Sequence, residues 1–301
     1  MKTTSKYILL TAALFAWSCG EGVVNISSDL YTPKIAVEGY IYPGKAVSNI
    51  EITRNVPLNT EVDVETIILS DATAFIEDES GKNYPLRFNP FELSFEYPGN
   101  DLLIEHGKSY TLDVSATVEG QALHTRSTTT VPQPGLGIDP TASMLENMTY
   151  RERDADGNLK NFKVVVDRSP GTDFYALSLS ALGADTASFI YENTFEEFDP
   201  EDVLDDFPDF AHRYMWNQDT PLTAGKTGID ILWFDVWFYG RYRAIVFAAD
   251  RNFRDFFRTS DEVQELDGNF HEPVMYFEGD GIGVFGSAVT DTTYFEVVRT
   301  K

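Results

Sequence analysis

The stretch KIAVEGYIYPG, Lys34 to Gly44, sets the fold class. Successive side chains of an extended chain point to opposite faces, so Ile35, Val37, Gly39 and Ile41 share one side and Ala36, Glu38 and Tyr40 the other. Pro43-Gly44 then closes the run as a turn. The same grammar repeats outward along the chain. VSNIEITRNV, DATAFIED, YPLRF, LSFEYP, SYTLDVSATV and QALHTRSTTTVP read as strands, and DESGKN, PGND and VEGQ between them have turn composition. Alternation with frequent turns and almost no helical period predicts an immunoglobulin-like β-sandwich over residues 31–132. Neither the cysteine pair nor the central Trp of antibody domains is present, so the expectation concerns architecture alone.

In VPQPGLGIDP, residues 131–140, three prolines and two glycines interrupt the pattern. Such density does not fit inside a sheet, which makes 133–140 a linker and 141–301 a second β-rich domain. There, RERDADGNLKNFKVVVD reads as a hairpin, with arms Met148–Arg153 and Phe162–Val166 around Asp156-Gly157. DFYALSLSAL and ASFIYENTF are strand-like. DILWFDVWFYGRYRAIVFAAD, the most apolar and aromatic part after the leader, reads as paired central strands of the second sheet. Phe253, Phe256 and Phe257, spaced by three and four, predict one helix over residues 251–263. Two or three strands joined by a Gly-rich turn close the chain. The fold class expected is therefore mainly β, in two domains with a single helix near 251–263.

Upstream, YILLTAALFAWSCGEG, residues 7–22, holds the only cysteine of the 301-residue chain. Lys2 and Lys6 precede an uncharged run from Tyr7 to Trp17, the layout of a secretory signal over residues 1–18. The run is shorter than the roughly 20 apolar residues that span a bilayer. Ala16 and Ser18 stand third and first before Cys19, an arrangement that resembles the lipobox of bacterial lipoproteins. Read so, Cys19 is the lipidated first residue of the mature chain, and residues 19–30 are a polar tether. A lone cysteine has no disulfide partner within the chain, and as a free thiol it would be a liability after export.

The formal charge of −25 becomes two units more negative when Lys2 and Lys6 leave with the signal. A surface of that sign repels nucleic acid and anionic headgroups, so no nucleic-acid partner is expected and membrane contact falls to the lipid. No chemical motif stands out. GDGIGVFG, residues 279–286, lacks the Lys-Ser/Thr of a phosphate loop, and tight turning or close backbone packing accounts for its glycines. Asp154, Asp156 and Asn158 begin like a calcium loop, yet no Glu follows at the twelfth position and a hairpin turn explains the same letters. His106, His124, His212 and His271 are scattered, without zinc spacing. There is no Gly-x-Ser-x-Gly, and acid pairs are common only because acids are. Neither metal nor cofactor is expected, and no enzyme activity.

The most distinctive polar feature is ENTFEEFDPEDVLDDFPDFAHRYMWNQD, residues 192–219, an acidic-aromatic insertion. As a recognition segment, its aromatics supply contact area and its acids select a basic or metal-bearing partner; Phe195, Glu196, Glu197, Phe198, Asp199, Asp205, Asp206, Phe207, Asp209 and Phe210 are the candidate binding residues. The competing reading, favoured somewhat, is a solvated insertion whose aromatics cover a sheet edge.

Cys19, KIAVEGYI, DATAFIEDESG, HGKSYTLDV leading to TTTVPQPGLGID, NFRDFFRTS and GDGIGVFGSA occur together in this order. In that combination the chain resembles the Bacteroidetes outer-membrane lipoproteins grouped as domain-of-unknown-function family 4249, over most of its mature length. The resemblance implies a lipid-anchored protein of the outer membrane, facing the periplasm or the cell surface, and often encoded beside a TonB-dependent transporter. It brings no catalytic residues. The function expected is a non-catalytic accessory or ligand-capture partner of a TonB-dependent outer-membrane receptor, and the alternative is an adhesion or envelope-structural module without a transport role.

Overall fold

The computed structural model describes residues 31–57, 60, 62–145, 148–191, 200–218, 225–260 and 272–299. Cys19 with its leader and tether, Phe195 to Asp199, His271 and the last three residues of the expected helix lie outside them. The compact body comprises Pro33–Asn55 and the described residues from Val62 onward.

Its first part contains β1 (Ile35–Ile41), β2 (Glu51–Arg54), a four-residue helix α1 (Val64–Ile67), β3 (Thr73–Asp78), β4 (Asn83–Pro85), β5 (Arg87–Asn89), β6 (Ser94–Glu96), β7 (Ser109–Val118) and β8 (Gln121–Thr130). There follow β9 (Gly137–Ile138), β10 (Met148–Thr149), β11 (Phe162–Asp167), β12 (Phe174–Leu182), α2 (Pro200–Asp205), α3 (Phe207–Ala211), β13 (His212–Gln218) and β14 (Lys226–Ile231). A 3-10 turn (Trp233–Asp235), β15 (Gly240–Ala249), α4 (Arg251–Ser260), β16 (Glu278–Gly279) and β17 (Gly281–Val298) complete a mainly β chain.

The alternation read in KIAVEGYI is the one the strand adopts: Ile35, Val37, Gly39 and Ile41 are buried and Glu38 is exposed. β7 and β8 form the expected hairpin, with Glu119 and Gly120 both at positive φ, as a two-residue hairpin turn of the right twist demands. They lie in a sheet of order β16-β8-β7-β3-β4. The largest sheet runs β13-β12-β15-β17-β1-β2, with β10 also on β17, and β14-β11-β9 makes a third. Buried apolar side chains gather in two main clusters, one over Ile35–Val131 with Phe285 and one over Leu145–Val297, and a smaller third joins Phe174, Ala176, Ala249, Phe253 and Ala288.

Strand β17 links the two. Its first half pairs in parallel with β1, Ile35 opposite Gly281 to Ile41 opposite Ser287, and its second half pairs antiparallel with β15. The Gly-rich segment is therefore mostly strand and not a connecting turn. A Cβ on Gly281 would lie 2.0 Å from Thr125 Oγ1, and one on Gly283 2.1 Å from the Val37 carbonyl oxygen, so close backbone packing is what these glycines permit.

Two local expectations are corrected. DILWFDVWFYGRYRAIVFAAD does not form a pair of neighbouring strands, because β14 and β15 belong to different sheets. The intervening turn buries Trp233, whose ring lies 4.5 Å from Phe162 and 5.2 Å from Tyr150, and this apolar anchor turns the chain between layers. Nor do Met148–Arg153 and Phe162–Val166 pair along their length: β10 joins β17, β11 joins β14 and β9, and only Arg153 bridges Leu159. The turn itself is present, with the Asp154 carboxylate accepting the N–H groups of Asp156 and Asn158. The helix forms from Arg251 to Ser260.

Candidate recognition face

The described part of the acidic-aromatic segment divides its side chains between two environments. Phe207 and Phe210 are half-buried against the second core, Phe207 5.5 Å from Phe238 and Phe210 4.9 Å from Trp237 and 5.2 Å from Phe189. Val203 is fully buried beside them. Asp205, Asp206 and Asp209 face solvent. Thus α2 covers the core with Val203 and α3 with Phe207 and Phe210, and the carboxylates are the outer surface that this leaves. Phe195, Glu196, Glu197, Phe198 and Asp199 are not among the described residues.

Aromatics of a different kind follow on β13. His212, Tyr214, Trp216 and Gln218 alternate outward, Tyr214 65 % and Trp216 46 % exposed. Register places this row on the outer face of the largest sheet. Opposite His212, Tyr214 and Trp216 lie Ser180, Ser178 and Ala176 of β12, and opposite those lie Arg243, Ile245 and Phe247 of β15. On β17 the row continues with Tyr294, which is 50 % exposed. Small side chains on β12 lie between larger ones on both neighbours, and Ala176 and Ser180 among them are buried.

Helix α4 closes one end of this face. Phe257 lies 5.9 Å from Phe174 and 6.4 Å from Tyr214, and Phe253 lies 4.7 Å from Tyr40 and 5.9 Å from Phe247. Arg258 holds its guanidinium 5.2 Å over the Trp216 ring while its Nη1 donates to Gln218 Oε1 at 3.0 Å. Arg254 is fixed by Asp255 and Asp173, which push its pKa further up. On the far side, Arg241 stands 4.7 Å over the ring of Tyr294. Burial raises the Tyr40 phenol and takes that of Tyr42 up to about 12, so both are neutral donors at ordinary pH.

Arg243 is different. Its Nε is buried and has no hydrogen-bond partner among the described residues, and no carboxylate among them lies within ion-pair distance of its guanidinium. The face sets these aromatics and arginines beside Glu296, which the register places opposite Arg241. Sequence reading passed over it because the signal is distributed: SLS in β12, RYRAIVF in β15 and HRYMW in β13 each alternate, but only the register sets them side by side.

Other polar clusters are satisfied internally. A hollow of about 330 Å³ near Asp78, Glu79 and Asp101 has its carboxylates held by Lys82, Lys108, Tyr97 and Ser80, and the bonds from Lys82 and Tyr97 hold Asp101 down at about 2. His106 meets the Pro132 carbonyl, His124 meets Asp113 and His212 meets Ser180. Among the described residues no group of three or more His, Cys, Asp or Glu could hold a metal ion. No helix among them is long and apolar enough to cross a membrane.

Comparison with known families gives one decisive match, to Domain of unknown function (DUF4249) over residues 22–293. The chain belongs to that family. No curated protein matches this DUF4249 member. Among solved structures it is similar to one from a 1.5-MDa bacterial ice-binding adhesin, at 11 % identity and a TM-score of 0.21, covering 89 % of this chain and 65 % of the other. It is similar also to trypsin-activated alpha-2-macroglobulin from Escherichia coli, at 8 % identity and a TM-score of 0.23, covering 89 % of this chain and 16 % of that one. At these TM-scores the likenesses bear on neither partner nor mechanism.

Proposed function

We propose that this protein is a non-catalytic binding module of the bacterial outer membrane, anchored by lipid at Cys19, that captures a ligand as accessory to a TonB-dependent transporter. The observation that carries the binding role is the outer face of the largest sheet, where exposed Tyr214, Trp216 and Tyr294 stand with Arg241, Arg243 and Arg258. Tyr, Trp and Arg are the residues that contribute most at recognition surfaces, because they combine large rigid contact area with directed hydrogen bonds. The anchor and the transporter rest on the lipobox-like leader and on the family resemblance. Affinity purification of the chain from its native envelope in mild detergent tests the reading. An outer-membrane barrel is expected to co-purify, and its absence would favour an adhesion or envelope-structural role.

A further inference from the structure

Resting on the accessory role just proposed, we infer that the tip of the β5–β6 hairpin docks the chain on its transporter partner, entering an apolar pocket rimmed by basic side chains. Pro90, Phe91, Glu92 and Leu93 join the two strands. Phe91 is 94 % exposed, more than any other large apolar side chain among the described residues, and Leu93 is 44 % exposed. Leu93 also lies at φ +52°, and of the non-glycine residues at positive φ among those described it alone is apolar.

The fold needs neither side chain at these places. The last loop position takes a left-handed backbone, which Gly or Asn adopts with less strain than Leu, and a polar residue would serve in water at position 91. An exposed apolar side chain kept over a strained backbone is a sign of use and not of folding. The tip is also held in shape. Asn89 Oδ1 accepts the Phe91 N–H at 3.0 Å, and the Pro90 ring fixes its own φ. At its root Phe95 is buried, lies 5.5 Å from the Phe88 ring and exchanges backbone bonds of 2.8 and 3.1 Å with Ile50. A preformed arm rooted in the first core thus presents an aromatic anchor that has little freedom left to lose on docking.

Charge selects the occupant. Exposed Glu92 is the one charged residue of the loop, and at its base Arg87 and Glu96 stand opposite each other. Entry into a bilayer would strip water from the Glu92 carboxylate with nothing to pair it. A second copy would bring another chain of net charge −25. A protein pocket with Lys or Arg at its rim pairs the carboxylate while its floor takes the Phe91 ring and the Leu93 side chain.

The full chain is purified from its native envelope in mild detergent as wild type and as Phe91→Ser, Leu93→Asn and Glu92→Lys. Each variant is expected to lower recovery of the outer-membrane barrel by about tenfold or more. The melting temperature is expected to be unchanged for Phe91→Ser and Glu92→Lys, and unchanged or raised for Leu93→Asn, whose backbone strain is relieved. A photo-reactive benzoylphenylalanine at position 91, irradiated in cells, is expected to cross-link to the same barrel. Full recovery by Phe91→Ser or Leu93→Asn would overturn the docking tip, as would a cross-link only to lipid, only to a second copy, or to nothing. Full recovery by Glu92→Lys would overturn the basic rim, and a lowered melting temperature for Leu93→Asn would make that residue a part of the fold. A barrel recovered equally by wild type and variants removes the tip and leaves the accessory role. No barrel with the wild type removes the accessory role, and the tip's partner with it.

Discussion

Gly283 lies at φ +99°, a region that side-chain-bearing residues rarely occupy, and the space its Cβ would need is filled by the Val37 carbonyl oxygen. Gly283→Ala is expected to lower stability by about 2–4 kcal/mol, combining backbone strain with a forced shift of β1. Urea unfolding reads this as a lower midpoint, and an unchanged midpoint would mean that β1 can step aside without loss. GDGIGVFG showed in sequence that backbone closeness was wanted, but not which backbone. A glycine records the absence of a side chain, and the partner that requires the absence is more than half the chain away. The same limit applies to Phe207 and Phe210. Composition grouped them with the acids beside them, and only the fold shows their rings turned toward Phe238 and Trp237.

At the scale of elements, α4 was legible because a three-and-four spacing of Phe253, Phe256 and Phe257 is a local signal. What fastens it was not. Asp250 precedes the helix and accepts the Phe253 N–H at 3.0 Å, the Ser287 N–H at 3.1 Å and the Thr129 hydroxyl at 2.7 Å, joining α4 to β17 and β8 at once. Asn252 reinforces the joint by donating to the carbonyls of Thr128 and Phe285. Burial raises the Asp250 carboxyl above its ordinary 3.8, in excess of the hydrogen bonds that pull it down. A carboxyl raised in the folded state contributes stability fully below its unfolded value and loses it as pH rises through the folded one. Asp250→Asn keeps an acceptor for both N–H groups and cannot ionise. The stability of the wild type relative to Asp250→Asn is therefore expected to fall as pH rises from the acid side toward neutrality, measured by urea unfolding at several pH values. A constant difference across that range would show the carboxyl to be unperturbed.

For the whole molecule, the stretch VPQPGLGIDP holds both Val131 of the first core cluster and β9, which pairs with β11. Period-two patterning could show strands and turns, since those depend on neighbours; pairing depends on residues far apart, and β1 with β17 is the clearest case. The first cluster takes in Phe285, and β1 has β17 on one side and β2 on the other. A fragment of residues 31–140 is accordingly expected to lack cooperative unfolding and near-ultraviolet dichroism, although its β7–β8 hairpin is local. Addition of a peptide covering residues 277–299 is expected to restore part of both. A fragment that melts cooperatively alone would show the first cluster to be self-sufficient.

That pairing also fixes an order of events. A ribosome makes β1 long before its parallel partner, so Ile35 must wait for Gly281 before the sheet can close. The nascent chain then stays without its finished sheet until β17 has been made.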